Sequence, residues 1–138
     1  MNRNRKAFTL IELLVVIAII GLLASLVGPK FFGQLKSAKA KTARAQLELF
    51  SSALDSFHLD TGRYPTTEEG LKILWAKKAN IKGFNGPYLP KKVEADPWGN
   101  PYVYKRPGDN GHEYELKSLG ADGEEGGSGE NKDISIWD

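Results

Sequence analysis

At 138 residues the chain has room for one domain. It contains no cysteine, which excludes a disulfide framework, a thiolate zinc site and thiol catalysis without fixing a compartment. The formal charge is only +2, and Arg3, Arg5 and Lys6 supply three positive charges before the first apolar run. The rest is slightly acidic and gives no case for a nucleic-acid partner.

Met1 to Ala7 form a basic leader, and the twenty residues from Phe8 to Val27 carry a single charge, Glu12. As a helix this run is long enough to cross a hydrocarbon core of about 30 Å, and no second run approaches its length. The positive-inside rule places residues 1–7 in the cytoplasm. An ordinary export signal is cut after its apolar core; here the expected cut lies before it, between Ala7 and Phe8. The run then stays in the mature protein and starts with a free amine on Phe8.

An ionised acid at the centre of a membrane helix costs roughly 2.5 to 3.5 kcal/mol, so Glu12 calls for a partner. One reading keeps it near the interface, protonated or neutralised by the amine of its own chain one turn away. The other pairs it with the Phe8 amine of a neighbouring copy. Opposite charges about 4 Å apart gain about 4 kcal/mol at an effective dielectric near 20, comparable with the insertion cost. Charge alone favours the first reading; the full local pattern favours the second.

Gly28-Pro29 falls at the expected membrane exit, where the missing amide of proline predicts a kink or a locally melted turn. Beyond it a helical pattern resumes. Ala43, Leu47, Phe50, Leu54 and Phe57 fall within about 40° of one line, whereas Lys36 and Lys39 occupy the same sector further back. The helix is therefore expected to run to about Leu59, with only its last half packed on a domain.

Thr66 and Glu69 have capping-box spacing before a short helix that places Leu71, Leu74 and Trp75 on one face. A loop rich in Gly, Pro and Asn comes next. Strands near Tyr102–Lys105 and Glu113–Ser118 flank a Pro-Gly-Asp-Asn-Gly turn as a hairpin, and Asp133–Trp137 alternates as a third strand. The fold class is α+β, a long amino-terminal helix on a small antiparallel sheet.

Between the last two strands lies LGADGEEGGSGENKDI, Leu119 to Ile134, with five acids against one lysine. Such loops are usually just solvated. This one is tethered at both ends, and its glycines let carbonyls turn inward beside carboxylates, as calcium's six to eight oxygens require; magnesium's strict octahedron suits it less. The EF-hand spacing is missing, so spacing alone supports calcium weakly. Catalytic signals are thin. His58 and His112 have no nucleophile signature beside them, and no G-x-S-x-G elbow occurs. Tyr64, Trp98, Tyr102 and Tyr104 read as core and loop anchors.

KAFTLIELLVVIAIIGLLASLVGP, Lys6 to Pro29, resembles the class III signal and first helix of type IV pilins and pseudopilins. TGRYPTTEEGL, DPWGNPYVY and SLGADGEEGG, further along, are similar to the major pseudopilins of type II secretion systems, and the likeness covers essentially the whole chain.

That resemblance implies a type IV pilin-like fold with a metal-stabilised loop. It divides the chain into a leader peptide over 1–7, a transmembrane and filament-core segment over 8–29 and a periplasmic domain over 30–138. Prepilin peptidase would cut between Ala7 and Phe8 and methylate Phe8; Ala7 stands where the family usually has glycine, which implies slower processing. Glu12 would recruit and register subunits. Calcium would be held by the Leu119 carbonyl and Asp122, with the Ser128 carbonyl, Glu130, Asn131 and Asp133 as further candidates.

The implied protein is no enzyme. It is the main subunit of a homopolymeric pseudopilus that drives folded periplasmic proteins across the outer membrane. Its implied partners are minor pseudopilins, an inner-membrane assembly platform with its cytoplasmic ATPase, and an outer-membrane secretin. Its implied place is the inner membrane of a Gram-negative-type envelope, crossed once. A type IV pilin or a DNA-uptake pseudopilin is the alternative; the latter would show a basic patch, to which Lys77, Lys78, Lys91 and Lys92 point faintly.

Overall fold

The computed structural model describes residues 7–138; the leader positions before Ala7 lie outside the described residues. A single α-helix, α1 (Leu10–Thr61), is followed by a 3₁₀ turn over Leu71–Trp75 and three short strands. These are β1 (Val103–Lys105), β2 (Glu115–Ser118) and β3 (Ile134–Ser135). A second 3₁₀ turn, Gly129–Asn131, lies between β2 and β3. The chain divides into two compact units, the first ending at Ser37 and the second spanning Ala38–Asp138.

In the first unit α1 is apolar on every side from Leu13 to Val27, save for Ser25. Its aliphatic residues from Leu10 to Val27 are exposed, which is unstable in water and stable in lipid or against other helices. The helix is continuous through Gly28-Pro29, so of the two expected outcomes the locally melted turn does not form. Proline there removes only one amide donor, and the turns on either side retain their own bonds.

In the second unit the stripe does what its period implies. Ala43, Leu47, Phe50, Leu54 and Phe57 are buried, joined by Ala53, and form one core with Leu74, Leu89, Tyr102, Tyr114, Leu116 and Ile134. Phe50 meets Tyr102 edge to face, with ring centroids 5.1 Å apart. Such pairs add about 0.5–1.5 kcal/mol beyond area burial.

The sheet is antiparallel in the order β1-β2-β3, with Tyr104 opposite Leu116 and Ser118 opposite Ile134. Along β2 the side chains alternate, so Leu116 and Ser118 turn inward while Glu115 and Lys117 are half-exposed. The third strand is only two residues long, shorter than the expected Asp133–Trp137, because the chain turns back there: the Ser135 amide donates to Asp138 at 2.9 Å.

The capping box forms reciprocally. The Thr66 amide donates to Glu69 Oε1 at 2.8 Å and the Glu69 amide to Thr66 Oγ1 at 3.1 Å. The element it leads into is a 3₁₀ turn and not an α-helix, since Gly70 at φ +63° ends the capped turn before a second can build on it.

Candidate functional site

Two groups of residues bear on function, one at each end of the chain. At the first, Ala7, Phe8 and Thr9 precede α1 without regular structure. Thr9 starts the helix: its Oγ1 accepts the Glu12 amide at 3.1 Å and its carbonyl accepts the Leu13 amide, also at 3.1 Å. This cap went unread in the sequence, although Thr-x-x-Glu over residues 9–12 is its signature.

Glu12 thus sits in the first turn of α1, where the partial positive charge of the helix end favours a carboxylate. Among the described residues its side chain has no ion pair, and Phe8 beside it is 80% exposed. Among the described residues, then, neither the acid nor the amino-terminal apolar surface is covered.

The second group is the loop from Leu119 to Asp133, whose base is built by a segment that carried no assigned role in the sequence. Asp96, 5% exposed, receives the Trp98 amide at 3.0 Å and the Asn100 amide at 2.8 Å on Oδ1, and the Ser118 hydroxyl at 2.7 Å on Oδ2. Ser118 Oγ in turn accepts the Gly120 amide at 3.2 Å, and Asn100 Nδ2 donates to the Gly120 carbonyl at 2.9 Å. The Asp-Pro-Trp-Gly-Asn turn is therefore a plug that fixes where the loop leaves β2. Its signal in the sequence is the Asp, Gly and Asn composition typical of an Asx turn.

Gly120 is required there on two counts. Its φ is +75°, and a Cβ would stand 2.7 Å from the Glu130 carbonyl oxygen. That carbonyl accepts the Ala121 amide at 2.8 Å, so the two ends of the loop are joined by backbone.

Around this frame the candidate ligands are strung out. Leu119 and Asp133 are half-buried, whereas Asp122, Ser128, Glu130 and Asn131 are exposed. Asp122 Oδ1 accepts the Glu124 amide at 3.1 Å, and the Ser128 carbonyl accepts the Asn131 amide at 3.1 Å. Among the described residues no three His, Cys, Asp or Glu side chains converge as a metal cluster.

Asp133 is the exception in character. Oδ2 accepts the Gly126 amide at 3.1 Å and lies 3.9 Å from Lys117 Nζ, whereas Oδ1 is buried without a hydrogen-bond partner. A buried carboxylate oxygen left bare is costly, and a hard cation is one means of satisfying it. Lys117 also reaches Glu125 at 3.4 Å, so one ammonium serves two acids of the loop.

Comparison with known proteins agrees with this architecture. Residues 30–137 match the family model described as type II secretion system protein G, and residues 2–28 match the prokaryotic N-terminal methylation motif. The chain is 43% identical to type II secretion system core protein G of Pseudomonas aeruginosa, over 99% of this chain and 98% of that one. It is 42% identical to the core protein G of Vibrio cholerae, over 98% and 93% of the two chains. The crystal structure of the major pseudopilin from the type 2 secretion system of enterohaemorrhagic Escherichia coli superposes with a TM-score of 0.64. That match has 30% identity and covers 76% of this chain and 87% of that one. The chain belongs to the type II secretion system protein G family.

Proposed function

We propose that this chain is the major structural subunit of a type II secretion pseudopilus, polymerising into a helical filament that drives folded periplasmic proteins across the outer membrane. The observation that carries the reading is that one chain holds both an exposed apolar helix segment, interrupted by one acid with no ion pair among the described residues, and a folded 38–138 unit with its own core. A lipid bilayer covers such a segment before assembly, and neighbouring copies cover it afterwards. Glu12 then separates the two states: its charge is expensive in lipid and satisfied by the Phe8 amine of an adjacent copy.

On this reading residues 1–7 are a leader removed between Ala7 and Phe8 by prepilin peptidase, which methylates the new amine. Residues 8–29 span the inner membrane once, and 30–138 lie in the periplasm. Assembly engages minor pseudopilins, an inner-membrane platform with its ATPase, and a secretin. The subunit's role is mechanical.

Calcium is the cofactor we assign to the loop. Asp133, with its bare Oδ1, and Asp122 would be the carboxylate ligands; the Leu119 and Ser128 carbonyls, Glu130 and Asn131 would complete the oxygen set. The ion would neutralise the loop's acids and cross-link its two ends.

The deciding experiment replaces Glu12 by Ala in the host. We expect a protein that still inserts in the membrane but forms at least about tenfold fewer filaments, the loss of an interaction of about 1.4 kcal/mol or more, with secretion impaired to match. Normal filaments and secretion in that variant would overturn the reading of Glu12.

A further inference from the structure

Between Gly70 and Val93 the chain carries six lysines and no acid, and between Asp122 and Glu130 it carries four acids and no base. The lysines, at 72, 77, 78, 82, 91 and 92, are all exposed, and among the described residues none is in an ion pair. The two blocks of opposite sign therefore do not satisfy each other within one copy.

The basic block is also shaped. A groove of about 620 Å³ adjoins a second hollow of about 410 Å³, and both are lined by Lys72, Trp75 and Lys92. Ile73 and Ala76 extend the apolar floor of the first, and Lys77 stands at its edge. Of the acids at the rims, Glu69 is held by Arg63 in two hydrogen bonds of 2.7 and 3.1 Å, which leaves Glu68 and Glu94 against the lysines.

We propose that this groove receives the acidic glycine-rich loop, residues 122–130, of a second copy of the chain. The inference rests on the filament reading. An open helical polymer of one chain needs two different, complementary patches on every copy, because a self-complementary patch closes into a dimer. The groove and the loop are such a pair. Glu124 and Glu125 are exposed and lie outside the candidate ligand set; Glu124 is in no ion pair among the described residues, and the Glu125 side chain stays 78% exposed beside Lys117, so both can face a neighbour when the loop holds calcium. Gly126 and Gly127 present backbone without side chains, which allows close approach to the flat face of Trp75 while the glutamates reach Lys77 and Lys92. A nucleic acid suits the groove less well. It would meet Glu68 and Glu94 in the groove and the acids of the loop elsewhere on a chain whose total charge is only +2.

Because the chain has no cysteine, introduced thiols report only on the chosen contact. Full-length Lys77→Cys and Glu124→Cys chains, co-expressed with the assembly machinery and oxidised, should yield a disulfide-linked dimer. Neither variant alone should do so, nor should Lys77→Cys paired with Glu113→Cys, an exposed control position. In parallel, Lys77→Glu with Lys92→Glu should lower filament yield by at least about tenfold, because it places like charges across the interface. Adding Glu124→Lys and Glu125→Lys to the same chain should restore most of it.

Filaments of normal yield without the specific cross-link, or charge reversal without rescue, overturn the contact and leave the filament reading intact. Absence of filaments from the unsubstituted protein overturns both. If the detergent-solubilised full chain retards a short DNA duplex, and Lys77→Glu with Lys92→Glu abolishes that without rescue by the loop reversal, the groove is a nucleic-acid site and the proposal falls.

Discussion

Asp96 shows how much one buried residue organises. Its carboxylate answers two backbone amides and a hydroxyl, with almost no access to water. Asp96→Ala would leave those three donors unpaired inside the fold, at about 1–3 kcal/mol each. We expect a loss of at least about 3 kcal/mol in urea unfolding of the full chain, followed by tryptophan fluorescence. Trp98, two residues away, should report the change directly.

Glu69 carries the clearest acid dependence. The hydrogen bond from Arg63 and the donors on Thr66 outweigh its partial burial and hold its pKa at about 2, well below the ordinary 4.5. A depressed carboxylate stabilises the fold fully above its unfolded value and loses that contribution as the pH falls through its folded value. Glu69→Gln should therefore destabilise the protein at neutral pH, with the gap to the parent closing between pH 4.5 and about 2. A constant gap across that window would show that the ion pair contributes nothing.

At the scale of elements, the loop between β2 and β3 is the one whose stability the proposed calcium would change. Its ends are joined by the Ala121–Glu130 backbone bond and the Asp96 plug, while its middle, Glu124 to Asn131, is exposed. Calcium bound by the folded state alone stabilises according to its free concentration over Kd, about 2.7 kcal/mol at a hundredfold excess. Melting of the full chain in detergent, read by tryptophan fluorescence, should shift down when a chelator is added and recover with excess calcium. Magnesium should recover less of it, because it gives up its waters reluctantly. An unchanged transition would rule out calcium as the loop's ligand.

α1 is the complementary case, an element set by periodicity and needing no ligand. Its two halves read differently because they meet different surroundings: apolar on every side through the span that ends at Val27, striped from Ala43 onward. Pro29 passes within the helix because only the amide it lacks is lost.

For the whole molecule the central prediction concerns maturation. Intact-mass measurement of the membrane-extracted protein should give a chain that starts at Phe8 and carries one added methyl group. Cleavage elsewhere, or an unmodified Phe8, would reject the proposed processing. On the proposed reading the Glu12 contact would become available only once Phe8 is the first residue, which would tie filament formation to prior cleavage.

What the sequence determined by itself was local or strongly periodic. The apolar span, the lone acid within it, the core stripe from Ala43 to Phe57, the reciprocal Thr66–Glu69 cap and the hairpin could all be read from spacing, since each depends on neighbours a few residues apart. The motifs of the soluble part were legible too, as a likeness to pseudopilins. The tertiary structure alone decided what those motifs do to one another. Asp96 lies twenty-two residues from Ser118 and plugs the base of the loop; Lys72 and Lys92 come together beside Trp75; Asp133 keeps one oxygen buried and bare. Such contacts depend on how the chain returns on itself and on which groups lose water when it does, and no residue spacing records either.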